Sequence, residues 1–394
     1  MRVFYINAMG PKEKAPQRGI FVTQRIKALE ELNVAVDPIA CDIEYSRLTK
    51  WILKKVANFP DYGEPLNDQM GVHYSVVKVR YNFLQVCISK INPQIFSKKV
   101  YMSLKRTLAD VQKGDIIHLH WIWPAGLGVM AYAKEKKIPL VITCHGSEIN
   151  YSLKDRFLKK TILEILESAE RVEFISEALR RNAIEAGYSG KNSCVVYNGI
   201  DTGVFSNSIK EEKNEIPVVG FVGNLIPVKG ADRLPEIFRK VYLKTEKKVR
   251  FIVVGQGTLR ESLQKEMEEL PVCFTGVLSP EKLADEYHKM DVLVVPSRNE
   301  GYSCVVKEAQ GCGVIPVGNN VGGIKEAIGK YGQLVNAATE EGIAEEFSDC
   351  IVDIIEGKVK INKKSMEEDA AACSWQKKQK ESIEIYNKIL KKRQ

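Results

Sequence analysis

Two carboxylates accompany a predicted helix start in the segment Asn299–Gly313. Glu300 lies on the loop after the apolar run DVLVVPS, and Glu308 lies within the helix that follows. Gly301 permits a tight turn, and Ser303 is a candidate N-cap. Because a helix N-terminus beside the carboxyl end of a strand binds anions, the two carboxylates could bracket the sugar and the ribose of a phosphate-bearing ligand. The spacing alone favours a plainer interpretation, a surface glutamate and an ordinary helix glutamate.

The elements that position these residues alternate between short apolar runs and helix-length segments. In the first half the runs are VFYINA, VAVDPIA, IIHLHW, LVITCH, VEFIS and CVVYNG, and in the second half they are PVVGFVG, VRFIVVG, VCFTG, DVLVVPS and VIPVG. Alternation of this kind predicts parallel sheets with right-handed crossovers, an α/β fold. We expect two Rossmann-like domains, residues 1–208 and 216–373, joined by a linker within Thr202–Pro217, and a last helix over 374–394.

The charge of the chain is concentrated in its first half. The net charge is +8, and residues 1–205 contain 29 basic and 21 acidic side chains. Residues 43–110 are basic and aromatic, and we expect them to be largely helical. Ser46–Val56 and Ser97–Leu108 mix cations with large apolar residues, which fits either a membrane-surface helix or a solvated helix with one buried face. Nucleic acid is disfavoured as a partner because no recognised binding module accompanies the charge.

Several classes of protein are disfavoured by what the sequence lacks. It has no GxGxxG after the first strand and no GxxxxGK[ST], which disfavours dinucleotide oxidoreductases and P-loop enzymes. It has no CxxC, HExxH or DxD motif, so we expect no metal site. No apolar run approaches the roughly 20 residues that span a bilayer, and the N-terminus lacks signal-peptide features. We therefore expect a cytoplasmic protein.

The segment around Glu300, read with its neighbours, resembles a known family. The segment consists of a strand, Pro-Ser, E-G-x6-E-A, small residues and then VGGIKE (Val321–Glu326). This order resembles that of the retaining nucleotide-sugar glycosyltransferases of family four, which have the GT-B fold. Six further motifs agree in order, namely IHLHW (117–121), TCHGSEI (143–149), YNGIDTGVF (197–205), GNLIPVKG (223–230), VVGQG (253–257) and FTGVL (274–278). The resemblance implies two facing domains, with the acceptor on the first, the nucleotide sugar on the second, and helix 374–394 packing back toward the first.

The resemblance also assigns roles to residues of the second half. Lys229 would meet the donor diphosphate, Glu300 the hydroxyls of the transferred sugar, and Glu308 the ribose. The remaining donor contacts would come from Gly223, Asn224, Val277, Gly301, Tyr302 and Ser303. The chain departs from the family at Asn224, where an arginine is common. Either Asn224 donates a neutral hydrogen bond, or another cation, Arg298 or Arg18, replaces the arginine.

In the first half, the resemblance places His145 beside the transferred sugar at the reacting centre. A structural histidine at a strand end is the alternative. Gly19 resembles the glycine that lets the donor phosphate approach the backbone. His118 and His120 alternate along one strand and so share a face. His120 would line the acceptor side or pack structurally.

Together these features imply a retaining glycosyltransferase with His145, Lys229 and Glu300 at its catalytic centre. It would move a hexose-type sugar from a nucleoside-diphosphate donor, by default a UDP-sugar, to a glycan or lipid-diphosphate acceptor in cell-surface polysaccharide or glycoconjugate synthesis. We expect no separate cofactor, and a cytoplasmic location with peripheral contact at the anionic inner leaflet. Two alternatives remain open, a GT-B nucleotide-sugar epimerase and an inactive partner subunit.

Overall fold

The chain forms two compact units in a computed structural model that describes residues 1–57, 61–92, 94–108, 110–206 and 214–393. The first unit comprises residues 1–197 together with the chain from Lys378 on, and the second comprises Asn198–Lys377. The boundary therefore lies earlier than the predicted residue 208. Residues 207–213, in the middle of the predicted linker, fall outside the described residues.

The first unit is built on a parallel sheet of seven strands in the order β5-β2-β1-β6-β7-β8-β9. Four of the six predicted runs, VFYINA, IIHLHW, LVITCH and VEFIS, are almost wholly buried. Burial on both faces is typical of a parallel sheet covered by helices. The strands are β1 Arg2–Asn7, β2 Ala35–Tyr45, β5 Ser75–Tyr81, β6 Ile116–His120, β7 Leu140–Cys144, β8 Arg171–Phe174 and β9 Ser193–Val195, and a small antiparallel pair is formed by β3 Asp68–Gln69 and β4 Val72–His73.

The helices of the first unit connect successive strands. They are α1 Ile20–Glu31, α2 Arg47–Ala57, α3 Phe83–Ile91, α4 Gln94–Thr107, α5 Gly126–Lys136, α6 Ser147–Asn150, α7 Lys159–Ser168 and α8 Glu177–Glu185. Helix α1 places Val22, Ile26 and Leu29 at helical spacing against the sheet, where all three are fully buried.

Residues 43–110 are less helical than we expected. Helices α2 and α4 are present, but Ser75–Tyr81 is a strand at the edge of the sheet and pairs with β2. In SVVKVRY, Val77, Val79 and Tyr81 are buried while Lys78 and Arg80 are exposed. The prediction failed because β5 is an edge strand with one solvated face, so its apolar and charged residues alternate with a period of two. Lys78 and Arg80 therefore interrupt the continuous apolar run that would have indicated a buried strand.

The second unit contains a parallel sheet of six strands in the order β12-β11-β10-β13-β14-β15. All five predicted strands are confirmed, and the short β15 was missed. The strands are β10 Val218–Val222, β11 Arg250–Val254, β12 Val272–Gly276, β13 Val292–Val295, β14 Ile315–Asn319 and β15 Gln333–Val335. The helices are α9 Leu234–Lys244, α10 Arg260–Glu266, α11 Pro280–Lys289, α12 Cys304–Gly311, α13 Ile324–Ile328, α14 Glu340–Ile355 and α15 Lys363–Ala371.

The last helix, α16, spans Trp375–Lys391 and from Lys378 on belongs to the first unit. Its Tyr386 and Ser382 are fully buried there. The Ser382 hydroxyl donates to Glu173 at 3.0 Å, and the Tyr386 oxygen lies 2.6 Å from His118 Nδ1. Among the described residues, no helix is both long and apolar enough to cross a membrane.

Both sheets reverse their strand order at one point. In the first unit this point lies between β1 and β6, and in the second unit it lies between β10 and β13. Open parallel sheets bind ligands beyond the carboxyl ends of the strands at such a point. Each unit therefore has one edge where a ligand is expected.

Candidate functional site

In the second unit, the loop after β10 is held by close backbone approaches. Gly255 packs so tightly against this loop that a Cβ there would lie 1.9 Å from the Gly223 carbonyl oxygen. The Leu225 N–H donates to the Gln256 carbonyl at 2.8 Å. The motif GNLIPVKG (223–230), called the phosphate loop below because its Lys229 is expected to meet the diphosphate, therefore packs against the VVGQG motif at the carboxyl ends of β10 and β11.

Lys229 is at the end of a single 3-10 turn in this loop, Pro227–Lys229. The next residue, Gly230, has a φ of 68°, and a Cβ there would lie 2.0 Å from the Pro296 carbonyl oxygen. Glycine is required on both counts, because a side chain would meet rigid backbone in a conformation that it disfavours. The turn thereby brings Lys229 to the end of β13.

Lys229 and Glu300 form an ion pair there. The distance from Lys229 Nζ to Glu300 Oε2 is 2.6 Å, and the two side chains are 31% and 13% exposed. Ser297 Oγ lies 3.5 Å from the same carboxylate oxygen. The structure therefore joins two of the predicted site residues across the strand-order reversal, 71 positions apart in sequence.

The backbone of Glu300 is fixed by the VGGIKE motif. The Gly323 N–H donates to the Glu300 carbonyl at 3.1 Å. Gly322 has a φ of 54°, and a Cβ there would lie 2.0 Å from the same oxygen. The two glycines thus let the chain pass close enough to position the Glu300 loop.

Glu308 is half-buried on helix α12 and accepts a hydrogen bond from the Tyr287 hydroxyl at 3.2 Å. Loss of water around the carboxylate raises the pKa of Glu308 to about 7, and the Tyr287 hydrogen bond opposes that rise. The carboxylate is therefore partly protonated near neutral pH, and a ligand with two hydroxyls to donate would favour its ionised form.

Ser303 occupies the N-cap position of α12, as predicted, but its hydroxyl does not cap the helix. Its Oγ is buried and makes no hydrogen bond to the described residues, and the same holds for Asn198 Oδ1. Tyr302 is also buried, and Gly301 is half-buried. The start of the helix therefore contains polar atoms that are shielded from water and unused within the described chain.

The other predicted donor contacts in this unit are more exposed. Asn224 is exposed on the phosphate loop, and Val277, just after Gly276 at the end of β12, is 64% exposed. Arg298, one of the two cations that could replace the family arginine, donates to Asp232 at 2.6 Å and to Glu340 at 3.2 Å. These two contacts hold the Arg298 guanidinium between Asp232 and Glu340.

In the first unit, Gly19 is the residue before helix α1. Its φ is 71°, and a Cβ there would lie 2.4 Å from the Met9 carbonyl oxygen. Asn7, at the end of β1, is fully buried, and its Nδ2 makes no hydrogen bond to the described part of the chain. Arg18, the other replacement cation, contacts the Met9 sulfur at 2.9 Å.

Three histidines lie on β6 or directly after β7. His118 and His120 stack with ring centroids 4.4 Å apart, which confirms the shared face, and His120 Nδ1 lies 2.9 Å from His145 Nε2. Burial lowers the pKa of both His120 and His145 well below the usual range, so both are neutral at pH 7. His145 Nδ1 and His120 Nε2 make no hydrogen bond to the described residues.

The tautomer of His118 follows from its neighbours. The Thr143 hydroxyl donates to Glu173 at 3.0 Å, so His118 Nε2, which lies 2.7 Å from the same hydroxyl oxygen, is the donor to it. Because burial lowers the pKa of His118 well below its usual value, the ring is neutral and its Nδ1 accepts from the Tyr386 hydroxyl. His118 is therefore a structural residue that ties α16 to the sheet.

Some residues of these sites carry no signal in the sequence. Tyr287 comes from α11, 21 positions before its partner Glu308. Trp121 stacks on His145 at 4.2 Å and has a φ of 62°, a strained conformation for a tryptophan. The motif IHLHW contains Trp121, but its contact with His145 depends on how β6 and β7 pair. Among the described residues, no group of three or more His, Cys, Asp or Glu side chains could hold a metal.

Comparison with known proteins identifies the class. A family model described as Glycosyl transferases group 1 matches residues 216–354, and one described as Glycosyltransferase Family 4 matches residues 59–204. Together they cover more than two thirds of the chain. The chain belongs to the family-four glycosyltransferases.

Individual relatives agree with this class. The chain is 24% identical over 361 residues to the putative teichuronic acid biosynthesis glycosyltransferase TuaC of Bacillus subtilis, covering 88% of each protein. It is 28% identical over 313 residues to the sulfoquinovosyl transferase SQD2 of Arabidopsis thaliana, which is 72% of this chain and 60% of that protein. It is 27% identical over 243 residues to a D-inositol 3-phosphate glycosyltransferase of Segniliparus rotundus, 56% of this chain and 54% of that protein.

Solved structures agree on the fold. Anabaena HepE in complex with UDP superposes with a TM-score of 0.68 at 17% identity, covering 98% of this chain and all of that one. Sucrose-phosphate synthase from Thermosynechococcus elongatus superposes with a TM-score of 0.70 at 18% identity, covering 99% of each chain. The fold is therefore GT-B, as the sequence motifs predicted.

Proposed function

We propose that the protein is a retaining glycosyltransferase that moves a hexose-type sugar from a UDP-sugar to a hydroxyl of a glycan or lipid-linked acceptor in cell-surface polysaccharide or glycoconjugate synthesis. The observation that carries the proposal is the Lys229–Glu300 ion pair at the strand-order reversal of the second unit. A cation and a carboxylate side by side are what a nucleotide sugar needs, because its diphosphate is anionic and its sugar presents hydroxyl donors.

Each partner would have a different task. Lys229 would balance the negative charge that develops on the leaving diphosphate, and the N-terminus of α12 would add its positive end to the same site. Glu300 would accept hydroxyls of the sugar, and Glu308 would accept the two ribose hydroxyls.

In the proposed reaction the acceptor hydroxyl attacks the anomeric carbon from the face that the diphosphate leaves. The bond from the anomeric carbon to the diphosphate oxygen breaks, the bond to the acceptor oxygen forms, and the acceptor proton passes to the diphosphate. Support for this front-face course is the family to which the chain belongs. We propose that no divalent cation is needed at the diphosphate, since the sequence has no DxD motif and offers Lys229 instead.

The names of relatives support the substrate classes. TuaC is named for teichuronic acid biosynthesis, and HepE is described in complex with UDP and with UDP-glucose. We propose a cytoplasmic location with peripheral contact at an anionic membrane surface. Helix α2 supports this contact, because it exposes Leu48 by 66% and Trp51 by 57% alongside Lys54 and Lys55.

The test separates the two members of the ion pair. Lys229→Ala should weaken UDP binding by about tenfold or more, because it removes a charge-assisted contact to phosphate. Glu300→Ala should keep or strengthen UDP binding, since UDP has no sugar for Glu300 to hold and Lys229 loses its competitor. Both variants should lose transfer. UDP affinity is measured by titration calorimetry in EDTA and again with magnesium.

Lys282→Ala is the matched control, because Lys282 is exposed on α11 in the same unit. Unchanged UDP affinity in Lys229→Ala, with normal turnover, would contradict the proposed donor site. Turnover of the nucleotide sugar to an isomer without acceptor would indicate an epimerase instead, and UDP binding without any turnover would indicate an inactive partner subunit.

A further inference from the structure

Two arginines of the second unit connect the segments that carry Lys229 and Glu300. Arg298, just before Glu300 in the sequence, reaches across to the turn that contains Lys229. Its Nη1 donates to the Pro227 carbonyl at 2.7 Å, and its backbone N–H donates to the Val228 carbonyl at 2.9 Å. The turn that presents Lys229 is therefore held by the segment that leads into Glu300.

Arg233 makes the reverse connection. It follows Lys229 in the sequence, and its Nη1 donates to the Pro296 carbonyl at 2.8 Å, at the end of β13. The Arg233 side chain is only 8% exposed, so this hydrogen bond is shielded from water. The two segments are thus connected by one guanidinium group from each side.

A single carboxylate holds both guanidinium groups. Glu340, the first residue of α14, accepts from Nε and from Nη2 of Arg233, each at 2.7 Å. It also accepts from Arg298 Nη2 at 3.2 Å. The paired hydrogen bonds fix the plane of the Arg233 guanidinium. Hydrogen bonding to Arg233 lowers the pKa of Glu340 to about 2, so the carboxylate is ionised at neutral pH.

Helix α14 gives this carboxylate a firm support. Ile343, Ala344 and Phe347, in its first half, are buried in the core of the second unit. The Glu340 side chain itself is 61% exposed, and an ion pair as exposed as this adds little to the stability of a fold. Its contacts instead join the two segments that present the Lys229–Glu300 pair.

We propose that Glu340 is a positioning residue that acts through Arg298 and Arg233 to hold Lys229 where it meets the donor diphosphate. This inference rests on the proposed function, because Lys229 is the cation of that donor site. A lysine that is held in place before the ligand arrives loses less conformational freedom on binding, which favours affinity. Arg298 then supports the site and does not itself meet the phosphate.

The loss of the charge at Glu340 should disturb this arrangement. Arg233 and Arg298 both contact the same oxygen, Glu340 Oε1. If that oxygen becomes neutral, two cations face one another without a carboxylate between them, and like charges repel. Because Arg298 is bonded to the Pro227 carbonyl, its displacement moves the turn that carries Lys229.

The experiment is a double-mutant cycle on the full chain, with UDP affinity measured by titration calorimetry. The four proteins are the native chain, Glu340→Gln, Lys229→Ala and the variant with both changes. Glu340→Gln should weaken UDP binding by about fivefold. In the Lys229→Ala background the same change should have no further effect, because the lysine that it positions is gone. Arg298→Lys, which keeps the charge without the planar fork, should behave like Glu340→Gln.

Glu345→Gln is the matched control. Glu345 lies on the same helix and is also held between two cations, Lys240 at 2.8 Å and Lys244 at 2.6 Å. Hydrogen bonding to Lys240 likewise lowers the pKa of Glu345 to about 2. Its partners lie on α9, so its substitution should leave UDP affinity unchanged. Melting temperatures of both variants show whether a general loss of stability accounts for any change in binding.

Three results would overturn the inference. Unchanged UDP affinity in Glu340→Gln, while Lys229→Ala binds UDP weakly, would show that Lys229 needs no such support. Stronger UDP binding in Glu340→Gln would show that the carboxylate withholds Arg298 from the diphosphate. An equal loss of affinity with and without Lys229 would show an effect that does not pass through this lysine. Unchanged affinity in Lys229→Ala itself would contradict the proposed donor site, and the inference with it.

Discussion

Replacing Glu308 with glutamine should stabilise the protein while weakening its hold on the nucleotide. In the folded chain the carboxyl has lost much of its water, and its pKa rises from the ordinary 4.5 to about 7. The unfolded chain gives up this proton near pH 4.5, whereas the folded chain keeps it until about pH 7. Folding is therefore penalised progressively as the pH rises between these values, and the penalty is fully present above them.

The size of the effect follows from the two pKa values. The difference corresponds to about 3 kcal/mol of folding free energy at pH 8 and about 1 kcal/mol at pH 5. Glutamine has no such penalty and keeps an oxygen that can accept the Tyr287 hydroxyl. For a unit of this size the gain should raise the melting temperature by about 6–12 °C at pH 8 and much less at pH 5. UDP affinity should fall by about tenfold, because the ribose loses its charged acceptor.

The assay is scanning calorimetry of both proteins at pH 5 and pH 8, with UDP titrations at pH 8. Glu340→Gln is the control of opposite sign, because hydrogen bonding to Arg233 lowers the pKa of Glu340 to about 2. Stability from that carboxylate is present above about pH 4.5 and is lost as the pH falls through its folded pKa, so Glu340→Gln should destabilise at pH 8. If Glu308→Gln were no more stable than the native chain at pH 8, the reasoning about its burial would be wrong.

Three further predictions concern the Glu300 loop, the diphosphate and helix α2. Gly322→Ala should lower transfer by about tenfold or more while barely changing UDP affinity, since its Cβ would displace the Glu300 loop; equal turnover in steady-state assays would refute this role. Adding magnesium should change the thermal shift that UDP causes by less than a degree or two, whereas a site that needs the metal would respond to UDP only in its presence. Leu48→Asp in α2 should reduce flotation with anionic vesicles several-fold and leave UDP affinity unchanged; undiminished flotation would count against α2 as the membrane contact.

Much of the fold could be predicted because its signals are local. Most buried strands are rich in Val, Ile, Leu and Phe. The glycines that follow β10 and β13 mark positions where the chain turns. Strand β5 was not predicted, because it is an edge strand on which Lys78 and Arg80 face solvent. The spacing of Glu300 and Glu308 is visible in the sequence, and the resemblance to the family motifs assigned the sugar to Glu300 and the ribose to Glu308.

The contacts within the sites could not be predicted in the same way, because they join distant segments. The Lys229–Glu300 pair depends on β10 and β13 being neighbours, and the engagement of Arg298 by Glu340 depends on where α14 begins. The backbone pairing of residues 62–66 with residues 11–14 likewise has no sequence pattern. The unused hydroxyl of Ser303 likewise contradicts the simple expectation for an N-cap.

The most direct test of a retaining glycosyltransferase is the configuration of the sugar that it releases. The protein is incubated without acceptor with α-linked nucleotide sugars, beginning with UDP-glucose, UDP-galactose and UDP-N-acetylglucosamine, and slow hydrolysis is followed by proton NMR. The account predicts that UDP is released and that the α-anomer of the free sugar appears before the β-anomer, in the native chain and not in Lys229→Ala. First appearance of the β-anomer, or formation of an isomeric nucleotide sugar without release of UDP, would contradict it.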